Sequence, residues 1–400
     1  MKVYARIITD PKVLSENEDE LDAFLKEYSP NPFMLLPFLR NLMSQNGWAN
    51  QTPATRGVNQ TPAIIVVRAE GRIIGLAPLI LKRYLGIRYA EFLNAYWASP
   101  DFVLRKNYES IAMETMIRLV LGRLNAKSVV LDLNSNSPSL PALRSLCKLD
   151  GIPFFEHSHQ FMDHGVVSVD RSWDDYRRSC GRRFAKELNN IRNKLDREGK
   201  WKVTVVANYD ECNEEALYEK ILAIEKLSWK EAHRQLSGQT VDESIRWFLM
   251  SSSSTKNNSK VLGRKVWFLE LDGRPVAYTM VFQFKGVAYI MKTSFVEEYR
   301  RLGLGKSVMN AAIKDLFDKK EVQEIEFMTY LPMVRFWRAT CMKRVRIRLG
   351  SRGIVYLAYA RATLREATTR LNHNNEHTYP APVARLQLAE VGRRRVPRPL

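Results

Sequence analysis

The same order of predicted elements occurs twice in this chain of 400 residues, and this internal repeat constrains the fold more than any other feature. In each copy two apolar strands flank a tight turn, which lies at Glu70-Gly71 in residues 62–83 and at Asp272-Gly273 in residues 265–286. A strand, an amphipathic helix and an apolar strand follow each hairpin, at residues 87–97, 108–124 and 128–134 in the first copy and at residues 287–295, 305–320 and 324–330 in the second. The sequence therefore predicts an α/β chain made of two copies of one unit.

The segments outside the two copies suggest how the chain is divided. Between the copies, residues 174–199 read as a basic helix whose apolar stripe packs on the core, with Phe184, Leu188, Ile191 and Leu195 on one face. Residues 251–260 lack periodicity and predict a surface loop. We expect a first domain over 1–165, a second over 166–367 and a basic, disordered tail over 368–400.

Arginines alternate with apolar residues in residues 343–360. Arg344, Arg346 and Arg348 would share one side of a strand, and Val345, Ile347 and Leu349 the other. This pattern predicts a strand with one solvated basic face, then a turn containing glycine, then a returning strand.

The formal net charge of +19 is concentrated near the C-terminal end. Residues 333–400 contain fifteen Lys or Arg against three Glu, so twelve of the nineteen net positive charges lie there. Such a block forms either a solvated face with a disordered tail, or a surface that attracts an anionic membrane, a polysaccharide or a nucleic acid such as tRNA.

Composition and cysteine spacing indicate a cytoplasmic protein. The hydrophobic content of 45% and charged content of 26% are those of a globular chain. Asp10 and Pro11 lie where a signal peptide needs an apolar stretch, and no apolar run reaches the length that spans a bilayer. The four cysteines are far apart and form no CxxC pair, which argues against a zinc ribbon or a disulfide framework. Peripheral association with the inner membrane face is an option that the basic end leaves open.

Residues 297–308, with the sequence EEYRRLGLGKSV, join a predicted strand to a predicted helix. The first N–H groups of a helix have no intrahelical partner, and the helix dipole favours an anion beside them. Gly303 and Gly305 would let the backbone bend and let a phosphate approach without a Cβ in the way, and three cations flank them: Arg300, Arg301 and Lys306. The stretch therefore predicts a phosphate-binding loop.

Residues 300–305 resemble the R/Q-x-x-G-x-G/A signature of the GNAT (Gcn5-related) acyltransferases. The resemblance implies two tandem GNAT-like domains, each a mixed, mostly antiparallel sheet flanked by helices. It also implies that acetyl-CoA or another acyl-CoA is a co-substrate, with no tightly bound cofactor. The implied coenzyme A residues are Thr293, Ser294 and Phe295 along the pantetheine arm, and Arg300, Arg301, Leu302, Gly303, Leu304, Gly305 and Lys306 at the pyrophosphate.

Residues 180–340 more narrowly resemble the CelD-type acetyltransferases and, distantly, the FemAB peptidyltransferases. The supporting stretches are RRFAKELNNIRNKLDREG, IEKLSWK, LDGRPVAY and EFMTYLPMVRFWRA. The first copy resembles the degenerate GNAT copy of such proteins. It has no GxG before its helix, so we expect it not to bind coenzyme A.

Acyl transfer from a thioester needs a proton acceptor for the nucleophile and a proton donor for the departing thiolate. Glu225 and Glu326 are the candidate bases, and Lys230 joins the candidate catalytic residues through its place in SWK. Phe336 and Trp337 stand where many GNAT enzymes have a tyrosine, so Tyr330 is the substitute proton donor. No cysteine lies near the loop, so direct attack by the acceptor is expected.

Other kinds of site are less well supported. His157, His159, Asp163 and His164 have the composition of a metal site, but their spacing is loose and we predict no metal. No GxSxG elbow or nucleic-acid-binding signature is present. We expect an acyl-CoA-dependent transferase, most simply an N-acetyltransferase, that acts on an amine or hydroxyl of an envelope or polysaccharide acceptor. The alternatives are a FemAB-like transferase that uses aminoacyl-tRNA and a non-catalytic module of envelope assembly.

Overall fold

A computed structural model describes residues 1–16, 18–44, 60–84, 86–93, 100–158, 163–207, 214–228, 230–231, 246, 249, 261–357 and 359–360. The expected loop at 251–260 and the expected tail at 368–400 lie outside these residues. None of the helices in the described ranges combines the length and the apolar composition that a membrane span requires.

The described chain forms strands and helices in the following order. The strands are β1 (Val3–Ile8), β2 (Gln60–Ala69), β3 (Arg72–Tyr84), β4 (Ile87–Phe92), β5 (Val103–Leu104), β6 (Ser128–Asn134), β7 (Phe154–Ser158), β8 (His164–Ser168), β9 (Trp201–Ala207), β10 (Leu262–Leu271), β11 (Arg274–Phe284), β12 (Val287–Phe295), β13 (Glu324–Phe327), β14 (Thr340–Met342) and β15 (Arg344–Gly350). The α-helices are α1 (Val13–Glu16), α2 (Glu18–Tyr28), α3 (Leu36–Ser44), α4 (Glu109–Leu121), α5 (Ser139–Leu149), α6 (Trp173–Ser179), α7 (Arg182–Glu198), α8 (Glu214–Lys226), α9 (Leu304–Lys319) and α10 (Pro332–Phe336).

Two mixed sheets organise the molecule. The first has the order β1-β2-β3-β4-β6-β15-β7, with β5 paired to β3, and the second has the order β14-β8-β13-β12-β11-β10-β9. Each sheet contains one parallel pair in the described ranges, β4 with β6 and β12 with β13, and its other pairs are antiparallel. These pairs are the places where a helix connects two strands, as a parallel connection requires. The two predicted copies therefore fold as two sheets of the same plan, flanked by helices.

Both predicted hairpins are confirmed, and their turns have the same conformation. The backbone φ is 50° at Glu70 and 81° at Gly71, and 48° at Asp272 and 80° at Gly273. Two successive residues with positive φ form the type I′ turn, which matches the twist of antiparallel strands and favours Asp-Gly-like pairs. The predicted stripe on α7 is also confirmed, since Phe184, Ile191 and Leu195 are buried and Leu188 packs partly buried against the same core.

The structure corrects the expected division of the chain into domains and the expected strand after β15. Strand β15 lies between β6 and β7 of the first sheet, although the expected division assigned it to the second domain. The expected boundary at 165/166 also falls inside β8, which belongs to the second sheet. After β15, residues 352–357 are helical, so the returning strand was wrong.

The basic face of β15 is not a solvated surface. Arg344 is fully buried, and its guanidinium donates to the carbonyl of Asp132 at 2.7 Å while its backbone N–H donates to the Asp163 carboxylate at 2.9 Å. Arg346 donates to both carboxylate oxygens of Asp132, each at 2.7 Å. The alternation was read correctly, but the face that it defines looks into the molecule, where carboxylates and a carbonyl compensate the charges of Arg344 and Arg346.

Residues of both units pack together in one of the two hydrophobic clusters of the described chain. Phe33, in a 3-10 turn at Pro32–Met34, packs edge-on against Tyr289 with ring centroids 5.7 Å apart. Phe38 of α3 packs against Phe282 of β11 at 5.8 Å. Helices near the N-terminus thus cover the face of the second sheet that carries Tyr289 and Phe282.

Candidate active site

A split between β12 and β13 forms the centre of the candidate site. The two strands pair in parallel only from Val287 opposite Glu324 to Ile290 opposite Phe327, whereas β12 continues to Phe295. A register shift places Met280 opposite Lys292 and Val281 opposite Ile290, so Met291 is an extra, bulged residue. Because a bulge bends its strand, β12 separates from β13 at this point. Beyond the bulge, the Lys230 side chain approaches the edge of β12 that faces away from β11, and Val296, directly after β12, forms a bridge with Ser228.

The open edge of β12 presents backbone groups of the residues predicted to hold a pantetheine arm. Val296 donates its N–H to Val276 of β11 at 2.9 Å, and the two-residue period then directs the backbone groups of Thr293 and Phe295 away from β11. The Lys230 ammonium donates to the Thr293 carbonyl at 2.5 Å. Ser294 differs from its neighbours, since its backbone points toward β11 and its side chain is fully buried.

The predicted phosphate loop lies directly after this edge. Residues Glu297–Leu302 form a 3-10 helix, Gly303 takes the left-handed conformation at φ 74° and ψ 32°, and α9 begins at Leu304. Lys306 and Ser307 donate their N–H groups to the Gly303 carbonyl at 3.0 and 3.1 Å. The N–H groups of Leu304 and Gly305 precede these bonds and have no intrahelical acceptor. The strand–loop–helix arrangement inferred from EEYRRLGLGKSV is confirmed.

The two glycines serve the loop in a way that differs from the prediction. A Cβ on Gly305 would lie 3.2 Å from Cδ1 of Phe295, and a Cβ on Gly303 would lie 3.0 Å from Cγ1 of Ile191. Both missing side chains therefore face protein, and not a space left for phosphate. Gly303 provides the bend, and Gly305 lets the first turn of α9 approach β12 closely.

Cations surround the loop, and each has an acidic neighbour. Arg300 and Arg301 are largely exposed and pair with Glu297 at 2.8 Å and Glu198 at 3.5 Å. Lys306 pairs with Glu187 of α7, and its ammonium lies 4.5 Å from the centre of the Phe336 ring. Leu302 and Leu304 are buried, so only their backbones could contact a ligand. The structure thus brings all seven predicted loop residues to one helix end that favours an anion.

Glu225 lies in a buried polar cluster on one face of the second sheet. It is fully buried on α8, accepts a hydrogen bond from the Tyr278 hydroxyl at 2.6 Å and lies 3.6 Å from the Lys292 ammonium. Register places Tyr278 opposite Ser294 and Met280 opposite Lys292, so Tyr278 and Lys292 share a face. The alternative of an ordinary exposed helical glutamate was wrong. Lys292 is the member nearest the bulge, and its side chain is 11% exposed.

Glu326 lies on the same face, on the other side of the split. Glu326 stands on β13, opposite Tyr289 of β12. The Nδ1 atom of the His164 imidazole lies 2.5 Å from the Glu326 carboxylate. Burial raises the pKa of Tyr289 well above its usual value, and the nearby charge of Glu326 adds to this rise. Two carboxylates, those of Glu225 and Glu326, therefore lie on the face of the sheet that borders the split.

Tyr330 lies three residues past the end of β13. The other two predicted catalytic residues, Glu225 and Lys230, lie on the β12 side of the split. Tyr330 is half-buried, and the Arg335 guanidinium lies 5.4 Å from its ring centre. Glu225 and Lys230 approach β12 instead, through Lys292 and Thr293. Trp337 is fully buried against Phe184, and Trp229 lies outside the described residues.

The residues of the suggested metal site do not meet. His157 is in the first sheet, His164 is in the second, and His159 lies outside the described residues. In the part of the chain that the structure describes, no group of three His, Cys, Asp or Glu side chains could hold a metal ion.

Sequence reasoning placed Lys292 at the start of the strand along the pantetheine arm, but it did not single out Tyr278, the pairing of Lys292 with Glu225 or the role of His164. Tyr278 and Lys292 stand in strands whose pattern is otherwise apolar, and a polar side chain at a core position of a strand was the available signal. His164 was noticed only as part of a metal-like composition. Its pairing with Glu326, 162 residues away, has no local signal.

Comparisons with known proteins agree with this geometry. A family model described as an acetyltransferase (GNAT) domain matches residues 182–330, and no curated protein matches the chain. Among solved structures, FemX is 12% identical, with 89% of this chain and 99% of that chain covered and a TM-score of 0.54. A conserved protein of unknown function from Bacteroides thetaiotaomicron is 11% identical, with 84% and 97% covered and a TM-score of 0.51. At these identities the structures support the fold alone. Residues 182–330 thus match an acetyltransferase (GNAT) domain, and the chain has a fold distantly similar to that of FemX.

Proposed function

We propose that the second unit transfers an acyl group from acyl-CoA, with acetyl-CoA as the simplest donor, to an amine or hydroxyl of its acceptor. One observation carries this proposal. The left-handed Gly303 turns the chain from the open edge of β12 into the N-terminus of α9, so a strand edge and an anion-binding helix end are contiguous. Coenzyme A requires these two features together, one for its amide-bearing arm and one for its pyrophosphate.

In this proposal the pyrophosphate accepts from the N–H groups of Leu304 and Gly305, and Arg300 and Arg301 approach it from solvent. The pantetheine amides pair with the backbone of Thr293 and Phe295. The Lys230 ammonium already occupies the Thr293 carbonyl, so the arm must displace it or bind beside it. The thioester would then reach the bulge at Met291, beside Lys292.

The chemical step forms a bond between the acceptor nitrogen or oxygen and the acyl carbon and breaks the bond between that carbon and sulfur. The proton of the acceptor passes to a carboxylate on the Tyr278 and Lys292 face, and the thiolate takes a proton from Tyr330. We assign the proton acceptor first to Glu225, which Lys292 links to the split, and second to Glu326. Comparing the pH dependence of turnover for Glu225→Gln and Glu326→Gln separates the two, because only loss of the true base removes the rising acidic limb.

We further propose that residues 1–165 bind no coenzyme A and that the protein acts in the cytoplasm. The basic residues after 360 would hold it near an anionic surface such as the inner membrane face, a polysaccharide or tRNA. Binding to vesicles with and without anionic lipid, for the full chain and for a chain ending at residue 360, tests this last part. Equal vesicle binding by the two chains would contradict it.

Isothermal titration with acetyl-CoA tests the coenzyme site. Replacing Arg300 and Arg301 together with alanine removes two exposed cations, each worth up to about 1 kcal/mol, so affinity should fall roughly five- to thirtyfold. The matched control is Arg72→Ala, an exposed arginine that follows the hairpin turn of the first unit. The proposal fails if the wild-type protein binds neither acetyl-CoA nor coenzyme A at millimolar concentration. Salt-dependent tRNA binding in that same experiment would favour an aminoacyl-tRNA-dependent transferase. Binding of acyl-CoA without turnover across a panel of amines would favour a non-catalytic module.

A further inference from the structure

The first sheet has one face that is lined with charges. On the opposite face of β15, Val345, Ile347 and Leu349 pack into the core beneath α4 and α5. On the charged face, register places Arg346 between Asp132 and His157, and Arg348 between Val130 and Phe155. Glu91 lies opposite Val130 and Lys82 opposite Tyr89, so four strands contribute to one charged surface.

Two of the three cations at this end of the surface are matched by carboxylates. Arg346 forms its two-bonded pair with Asp132, and both side chains are mostly buried, at 29% and 16% exposed. Lys82 pairs with Glu91, and the lysine side chain is only 5% exposed. Such pairing is what partly buried charges require.

Arg348 has no such match. It is half-buried, and within the described ranges its guanidinium has no ion pair and no hydrogen bond. Desolvation and the like charge of Arg346 lower the pKa of Arg348, and the charges of Asp132 and Glu91 oppose part of this effect. A guanidinium that gives up water without a hydrogen-bonded partner carries a desolvation cost, which the charges of Asp132 and Glu91 offset only in part.

The charged surface leads toward the candidate active site. Arg344 stands on the same face of β15, and the charge of Glu326 acts on its guanidinium. Arg348 lies four residues further along the strand than Arg344, which corresponds to about 13 Å. An acceptor whose nucleophile lies at the split would extend past Arg344 and along this strand to reach Arg348.

We propose that Arg348 anchors an oxyanion, a phosphate or a carboxylate, of the acceptor substrate on the charged face of the first sheet. This inference rests on the proposed function for its link to catalysis, but the anion site itself does not. The fork of the guanidinium matches either group with two hydrogen bonds. The stacked rings of Phe155 and His157, with centroids 5.0 Å apart, border the site. The degenerate first copy would then recognise the acceptor while the second copy binds the donor.

Arg348→Met tests the site, because methionine keeps the apolar stem and removes the charge. The control is Arg352→Met, an exposed arginine four residues further along the chain. Methyl phosphate and acetate are titrated separately into each protein with coenzyme A at saturation, so that the loop at Gly303 is occupied. Arg348→Met should weaken binding of the preferred anion at least tenfold, and the control should leave it unchanged.

Thermal unfolding distinguishes this role from a structural one. Without ligand, Arg348→Met should melt at the same temperature as the wild type or higher, because a half-buried cation without a hydrogen-bonded partner has been removed. A clear fall in melting temperature, or equal anion affinity in the variant and wild type, would overturn the inference.

Coenzyme A binding is measured on the same proteins, so the two proposals can fail separately. If the protein binds coenzyme A but the Arg348→Met change does not affect anion binding, only the inference about Arg348 is contradicted. If anion binding depends on Arg348 but the protein does not bind coenzyme A, only the proposed function is contradicted. In the second case the anion titration is repeated on the Arg300→Ala, Arg301→Ala protein, which lacks the loop cations, and the loss on Arg348→Met should persist.

Discussion

The ion pair between Glu225 and Lys292 should be strongly coupled. Its two charges are 3.6 Å apart, with 0% exposure for the glutamate side chain and 11% for the lysine. At an effective dielectric constant of about 20, Coulomb's law gives an attraction of roughly 4 to 5 kcal/mol at this separation. Removing either partner leaves the other charge in the core, so Glu225→Gln and Lys292→Met should each lower the free energy of unfolding by about 3 to 5 kcal/mol.

The double variant Glu225→Gln, Lys292→Met contains neither charge, and the amide oxygen of the new glutamine can still accept from the Tyr278 hydroxyl. It should lose only about 0 to 2 kcal/mol, which gives a coupling energy of several kcal/mol in a double-mutant cycle. Urea unfolding at pH 7, followed by tryptophan fluorescence, measures all four proteins.

The exposed pair between Lys314 and Asp318 on α9 is the matched control for this cycle. Its side chains are 51% and 48% exposed, so its coupling energy should stay below about 1 kcal/mol. A coupling energy for Glu225 and Lys292 no larger than that of the control would refute the reasoning.

Three other features give measurable outcomes. Burial raises the pKa of the Asp101 carboxyl to about 6 from 3.8, so the folded state binds this proton more tightly and stability should fall by about 3 kcal/mol between pH 4 and pH 7. Urea unfolding of Asp101→Asn should show this fall removed, and a constant difference from wild type across that range would contradict the assignment. Gly305→Ala crowds Phe295, and Gly303→Ala strains a left-handed residue, so each should lower the stability measured by thermal unfolding by about 1 to 3 kcal/mol. A Gly305→Ala protein as stable as the wild type would show that the first turn of α9 is misplaced. A chain that ends at Met342 lacks β15, so its first unit should be cleaved readily by proteases. A protease-resistant first unit would contradict the placement of β15 between β6 and β7.

The sequence was sufficient for the parts of the fold that local chemistry determines. Glu70-Gly71 and Asp272-Gly273 specify their turns through residues that tolerate positive φ, and the apolar runs on either side mark the strands. The loop at Gly303 was found in the same way, since a glycine between a strand and an amphipathic helix marks a bend that other residues make only with strain.

The errors arose where long-range pairing decides the outcome. The alternation of Arg344, Arg346 and Arg348 shows that the three share a face, but only Asp132 and Asp163, from distant parts of the chain, show that this face is interior. Glu225 reads as an exposed helical residue for the same reason, because Tyr278 and Lys292 reach it from two strands of the sheet beneath α8. Residues 352–357 form a helix where a strand was expected, since a short apolar run does not distinguish the two.

The position of β15 in the first sheet also affects the order of events during synthesis. The first sheet has all its other strands once β7 ends at Ser158, but β15 ends at Gly350, about 190 residues later. At the usual rate of translation the nascent first unit waits roughly 10 to 40 s for its final strand. Throughout that interval the facing edges of β6 and β7 lack their shared partner, so the growing chain exposes two strand edges that a ribosome-associated chaperone, or another nascent chain, can pair with.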